Sequence, residues 1–400
     1  MAVFFMVQPA LSVPWRATAR KKNLLLTIPG LCHTGTVNRI QRIGLLTGGG
    51  DAPGLNAVVR GVVKAAINSY GIRVFGFYDA FRGLVRGKGK WLHWNNVSGI
   101  LTQGGTILGT TNRDNPFHYV DNHRRPERTR DASGDVVRNY RKLKLDALIA
   151  VGGDGTLQCS CRMSGLGLRI VGVPKTIDND VRGTDLTFGF NTAVTTATEA
   201  IDKLHSTAAS HHRVMLVEVM GRTAGWLALT SGVAGGADVI LIPEIPYRLD
   251  AVCAKIMHRN RSGKRFSIVV VSEGARAVDG EIVVRDRVAG SFEQVRLGGI
   301  SAILARQIEG RTGLETRYTI LGHLQRGGTP TPFDRFLATR FATAAVEMVT
   351  SGQFNRMVSL RGDTVTSVPL SIPGCAPRLV SPRSQDIRMA RSIGTCFGDE

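Results

Sequence analysis

From Arg42 onward the chain alternates short, nearly continuous apolar runs with stretches whose apolar residues recur at helical spacing. The first unit shows both. Ile43–Thr47 is an apolar run of strand length, and a Gly/Asp/Pro turn comes after it. Leu55, Val58, Val59, Val62, Val63 and Ala66 then fall at i, i+3, i+4, i+7, i+8 and i+11, which draws one apolar face on a helix. Further runs predict strands over Ile72–Phe77, Ala147–Val151, Arg169–Val173, Val214–Val219, Val239–Ile242, Ser267–Val271 and Tyr318–Leu321. Runs without polar alternation suit strands covered by helices on both faces. With β and α alternating at this spacing, the expected class is α/β, built from doubly wound, Rossmann-like, largely parallel sheets.

The turns beyond these runs are more specific. The predicted strands end in TGGGDAPG (47–54), VGGDGT (151–156), VPKTIDND (173–180), VMGRTAG (219–225), IPE (242–244), SEGA (272–275) and LGHLQRGG (321–328). Ligands of open α/β sheets bind beyond the carboxyl ends of the strands. Turns need glycine, but they have no need of Asp51, Asp154, Lys175, Asp178, Asp180, Arg222, Glu273, His323 and Arg326. That pattern predicts an active site.

The 400 residues suffice for two domains with substantial cores. No stretch of 18 apolar residues exists, so no membrane-spanning helix is expected and no membrane partner. The six cysteines (Cys32, Cys159, Cys161, Cys253, Cys375, Cys396) show no CxxC and no metal-ligand spacing, which suits free thiols in a reducing, cytoplasmic setting. The formal charge of +20 suits polyanionic ligands. Lys and Arg are spread along the chain, densest around Arg124–Lys144, and not gathered on one helix as nucleic-acid readers tend to have them. Sugar phosphates and nucleotides account for the charge without nucleic acid. Residues 1–40 hold no Asp or Glu but carry Arg16, Arg20, Lys21 and Lys22. They read as a disordered extension or a start placed too far upstream, in a composition also compatible with a transit peptide.

Glycines at a strand-to-helix turn let backbone N–H groups approach a phosphate, helped by the helix N-terminus. Gly48–Gly50 and Gly152, Gly153 and Gly155 both have that form. Asp154 could hold Mg²⁺ between phosphate oxygens, with a helix cap as its plainer role. Asp178 and Asp180, two residues apart, point the same way from an extended segment, so one can accept a hydroxyl proton beside the other; a turn-forming Asp-Asn-Asp is the alternative. Arg222, Arg317, His323 and Arg326 offer cationic donors for phosphate oxygens. The three Gly-Lys pairs (87–88, 89–90, 263–264) never precede Ser or Thr, so no Walker A exists, and no GxGxxG opens a helix after the first strand.

GGGDAPGLN, GGDGT, PKTIDND, VEVMGR, SEG and LGHLQRGG, in this order and spacing, resemble the phosphofructokinase family from about Ile43 to about Leu360. The resemblance implies phosphoryl transfer to the 1-hydroxyl of fructose 6-phosphate. It implies Asp178 as general base with Thr176 and Asp180 beside it, and Arg222 as a catalytic and substrate-binding residue presented by Met220 and Gly221. Asp154 would carry Mg²⁺, and Gly49, Gly153, Gly155 and Thr156 would contact the donor phosphates. Ile177, Glu273, His323 and Arg326 fall at sugar-phosphate positions, while Arg213 and Arg317 would reach the 6-phosphate from a neighbouring subunit of a homodimer or homotetramer. The implied domains are 41–189 with a return at 327–360 for the donor, 190–326 for the sugar, and 361–400 as a C-terminal segment.

Two departures bear on the donor. In GGTILGTTNRDNPF (104–117) the family's donor-binding arginine fits Arg113 only with a one-residue insertion. Lys175 stands where many ATP-using members have Gly, and pyrophosphate-using members carry Lys there too. Gly155, where pyrophosphate users typically have Asp, leaves room for an α-phosphate. The expected donor is therefore ATP, with pyrophosphate as the alternative and an inactive sugar-phosphate-binding regulator as the remote one.

Overall fold

The computed structural model describes residues 40–121, 129–287 and 295–400. The expectations for residues 1–39 lie outside the described residues. Ile40 is already packed in a hydrophobic core.

Two sheets organise the chain. The first runs in the order Thr364–Pro369, Arg356–Arg361, Ile170–Thr176, Ala147–Gly152, Arg42–Thr47, Arg73–Phe77 and Gly89–Leu92, with Phe188–Gly189 added beside Ile170–Thr176. Its inner strands are parallel, and the outermost strand at each edge is antiparallel. The second sheet, Val239–Leu241, Ser267–Ser272, Val214–Val219 and Thr316–Ile320, is parallel throughout. Every predicted strand is present with bounds shifted by a few residues. Gly89–Leu92, Arg356–Arg361 and Thr364–Pro369 were not expected. The first and last of these are partly solvated edge strands, and such strands need no continuous apolar run.

Side chains alternate between two cores along each sheet. In the first sheet Leu45, Ile149 and Val171 face one core while Leu46, Leu148, Ala150 and Ile170 face the other. In the second, Met215, Val217 and Ile240 oppose Val214, Leu216, Val239 and Leu241. Period-two alternation with both faces buried is why these strands read as unbroken apolar runs. The helix Leu55–Tyr70 buries its whole predicted face and packs along the helix Pro332–Thr350. Gly61 permits that approach: a Cβ there would stand 2.6 Å from the Ala342 Cβ.

The last residues tie the two sheets together. Leu370, just after the edge strand, lies in a core of the first sheet, whereas Val380, Ile387, Ala390 and Phe397 lie in a core of the second. Cys396 then pairs with Val239 as a short parallel bridge. The segment 370–384 therefore crosses from one sheet to the other. The five described cysteines are free, and no helix among the described residues is long and apolar enough to cross a membrane.

Candidate active site

The carboxyl ends of the strands open on one cleft. One wall is backbone. Gly48 N–H donates to the Val151 carbonyl at 2.8 Å, locking the first glycine turn to the strand beside it. Gly49 takes φ +79°, accepts from Thr110 Oγ1 at 2.6 Å and donates to the Thr111 carbonyl. The second turn leads into the helix Asp154–Ser164, and the Asp154 carboxylate accepts from Gly155 N–H at 2.7 Å. Thr156 lies against Gly48 and Gly152, and its buried hydroxyl has no hydrogen-bond partner among the described residues. A buried, unsatisfied hydroxyl between two glycine turns suits an incoming phosphate oxygen.

The facing wall is side-chain chemistry on constrained backbone. Thr176 Oγ1 accepts from Asp178 N–H at 3.0 Å, which fixes the start of the 176–180 loop. Asn179 sits in the left-handed region (φ +53°), and its side-chain oxygen accepts from Thr187 N–H. Asp178 and Asp180 are both buried, yet both line the cleft. Burial first, then the charges of Asp178 and Asp154, hold the Asp180 carboxyl well above the usual range. Arg222 is a second left-handed residue (φ +51°), held because its N–H donates to Glu273 Oε1 at 3.1 Å and its carbonyl abuts Gly274. A non-glycine residue in that region costs on the order of 1–3 kcal/mol, so the neighbours must impose it. Glu273 itself is pushed up to about 7, chiefly by burial and then by the Asp178 charge.

Two cations bridge the walls. The Lys175 ammonium donates to the Gly50 carbonyl. Arg326, from the turn after Thr316–Ile320, donates from Nη1 to the Asp51 carbonyl at 3.0 Å.

The structure thus gathers Gly49, Gly153, Asp154, Gly155 and Thr156 on one side, and Thr176, Asp178, Asp180 and Arg222 on the other, with Lys175 and Arg326 between. Gly221 (φ +135°) makes the turn before Arg222, and Met220 packs partly on the second sheet's core. Ile177 has its side chain fully buried in that core, so contact with a ligand would come from its backbone. His323 is exposed and is not among the residues lining the cleft. From 104–117 it is Asn112 that lines the cleft, next to Arg113. Asn112 and Gln158 were missed because an amide beside a glycine turn carries no distinguishing pattern.

Arg213 and Arg317 lie elsewhere. They stand at the amino end of the second sheet's strands, where Thr316 pairs with Val214, opposite the end that carries Arg222 and Glu273. Glu315 pairs with both, at 2.8 Å and 2.6 Å, at the protein surface.

The profile of the phosphofructokinase family matches residues 42–349. The chain is 48% identical over 359 residues to the ATP-dependent 6-phosphofructokinase of Spirochaeta thermophila, covering 90% of this chain and 98% of that one. It is 48% identical over 362 residues to ATP-dependent 6-phosphofructokinase 2 of Clostridium perfringens, covering 90% and 99%. Among solved structures, Pichia pastoris phosphofructokinase in the T-state aligns with a TM-score of 0.72 and 33% identity, over 88% of this chain and 36% of that one.

Proposed function

The chain belongs to the phosphofructokinase family, and we propose that it is an ATP-dependent 6-phosphofructokinase, forming fructose 1,6-bisphosphate in glycolysis. The observation that carries the residue roles is the single cleft in which an aspartate pair and Arg222 face two glycine turns and the partnerless Thr156 hydroxyl.

ATP lays its phosphates along the glycine turns, where backbone N–H groups and the start of the helix Asp154–Ser164 favour negative charge. The sugar 1-hydroxyl faces Asp178. Its oxygen attacks the γ-phosphorus in line, the bond to the β–γ bridging oxygen breaks, ADP leaves, and the hydroxyl proton passes to Asp178. Asp180, raised by burial and by its acidic neighbours, holds its proton more tightly than an ordinary carboxyl. Arg222, with Arg113 from the donor side, offsets charge on the moving group. Glu273 and Arg326 orient the sugar phosphate.

Among the described residues no cluster of three or more His, Cys, Asp or Glu side chains could cage a metal. A single carboxylate, Asp154, at the mouth of a phosphate-binding turn fits Mg²⁺ held largely by donor phosphates and water. The ion would neutralise phosphate charge.

Arg213 and Arg317 stand at the wrong end of the sheet for their own cleft, which supports a homodimer or homotetramer in which they complete a neighbour's site. A cytoplasmic location fits free thiols and these substrates. The test is a coupled assay for fructose 1,6-bisphosphate with ATP and pyrophosphate in parallel at equal free Mg²⁺. ATP should give the higher kcat/KM. Pyrophosphate winning would overturn the donor, and product from neither would overturn the activity.

A further inference from the structure

The 370–384 crossing touches the active site from behind. Arg378 N–H donates to the Asp180 carbonyl at 2.6 Å, and its guanidinium Nη1 donates to the Asn179 carbonyl at 3.0 Å. The same guanidinium lies 4.1 Å from the ring centre of Trp226, whose Nε1 donates to the Arg378 carbonyl at 2.8 Å. Trp226 opens the helix just beyond the Arg222 turn. Two residues on, Val380 N–H donates to Glu244 Oε1 at 2.8 Å, and that carboxylate also accepts from Gly225 N–H at 2.9 Å. One short stretch of chain therefore grips both strained segments of the sugar wall, the Asp178–Asp180 loop and the base of the Arg222 turn.

We infer that Arg378 is a positioning residue for phosphoryl transfer: it clamps the 176–180 loop to the Trp226 helix so that Asp178 and Arg222 keep a fixed separation. Its bonds go to carbonyls on the back of the loop, while the carboxylates on either side of Asn179 line the cleft. A bond from a charged donor to a neutral carbonyl is stronger than a neutral pair, and the stacked ring leaves the guanidinium little freedom to leave it. The first glycine turn has other fastenings, Gly48 to Val151 on the neighbouring strand and Gly49 to Thr110 and Thr111.

The inference rests on the proposed activity, and its test has one arm that does not. Arg378→Ala in the full chain is compared with wild type by hydrogen exchange without substrates and by steady-state kinetics per folded molecule. Exchange should rise in peptides covering 176–187 and 219–226 and stay unchanged at 47–54 and 151–158. Misplacement of a reacting group by about 1 Å can cost about 10²-fold, so kcat should fall between about tenfold and 10²-fold while KM for ATP stays within about twofold. Millimolar ethylguanidinium should recover part of kcat, which a merely structural loss would not allow. Trp226→Phe, which removes the indole donor and leaves a smaller ring under the guanidinium, should show the same pattern at smaller amplitude and serves if Arg378→Ala does not fold. Unchanged exchange in the 176–187 peptides overturns the inference. So does a kcat within about twofold of wild type per folded molecule. If the wild type makes no fructose 1,6-bisphosphate, the activity falls while the exchange result still decides the clamp.

Discussion

The two walls of the cleft solve different problems. The donor wall is made of glycine turns fastened first by the strands they leave: Thr47 and Val151 are register partners, and Gly48 bonds to Val151 directly, while Gly49 is tied to Thr110 and Thr111. The sugar wall must aim carboxylates and a guanidinium, and it does so with Asn179 and Arg222 in left-handed conformations. Those are held by Glu273, 51 residues beyond Arg222, and by Arg378, 199 residues beyond Asn179. Both walls are tied from afar, the donor wall by Thr110, Thr111 and Arg326; the difference is that the sugar wall holds two non-glycine residues in left-handed backbone.

The strongest way to break that contrast is Asp178→Asn, which keeps the shape of the sugar wall and removes its base. General-base catalysis is worth about 10²–10⁴-fold, so kcat should fall by at least that range's lower limit with KM for fructose 6-phosphate little changed. A variant retaining more than about a tenth of wild-type turnover would remove Asp178 from that role. Gly155→Asp probes the other wall. The added side chain and charge should oppose the ATP α-phosphate, reducing kcat/KM for ATP by about 10²-fold or more while sugar binding persists. Equal use of ATP by the variant would show that the donor does not lie against this turn.

A smaller effect separates the scaffolds. A Cβ on Gly274 would stand 1.8 Å from the Arg222 carbonyl, so Gly274→Ala must displace the Arg222 turn. On Gly153 the nearest contact would be the Lys175 carbonyl at 3.4 Å, ordinary packing. Gly274→Ala should raise KM for fructose 6-phosphate about tenfold or more, and Gly153→Ala should leave it near wild type; the reverse ranking would refute the account of Arg222. The smallest effect is in pH. The Glu273 carboxyl titrates near 7 in the folded chain against an ordinary 4.5, so the folded state holds this proton more tightly than the unfolded one. Its stabilising contribution is full below about 4.5 and is lost as pH rises through about 7. Compared with Glu273→Gln, the wild type should lose on the order of 1–3 kcal/mol across that window. Parallel melting curves for the two proteins would contradict it.

The contrast also explains what could be read in advance. Strands with both faces buried announce themselves as apolar runs, and the turns after them as glycine beside charge, so the cleft's members other than Asn112 and Gln158 were legible as a set. The antiparallel edge strand Gly89–Leu92 was not, because a partly solvated edge has no apolar signature. Arg378 was not legible either. One arginine among the chain's many basic residues, in a segment with no glycine-turn motif, looks like solvated surface until its partners are placed beside it. Burial of Ile177 in the second core was equally hidden, since an apolar residue between polar ones suits a cleft as readily as a core.

The path of the chain beyond Pro369 has a consequence for how the molecule comes into being. Val214–Val219, Ser267–Ser272 and every parallel strand of the first sheet precede residue 362 in the chain, so both sheets can close before Arg378 has left the site of synthesis. The loop that carries Asp178 then waits for a tie that arrives almost last. Closing the sheets and fastening the loop can thus be separate events, although the second sheet's core is complete only once Val380, Ile387, Ala390 and Phe397 have joined it. A chain cut short after Pro369 would contain all its strands and glycine turns yet lack the fastening of its catalytic loop.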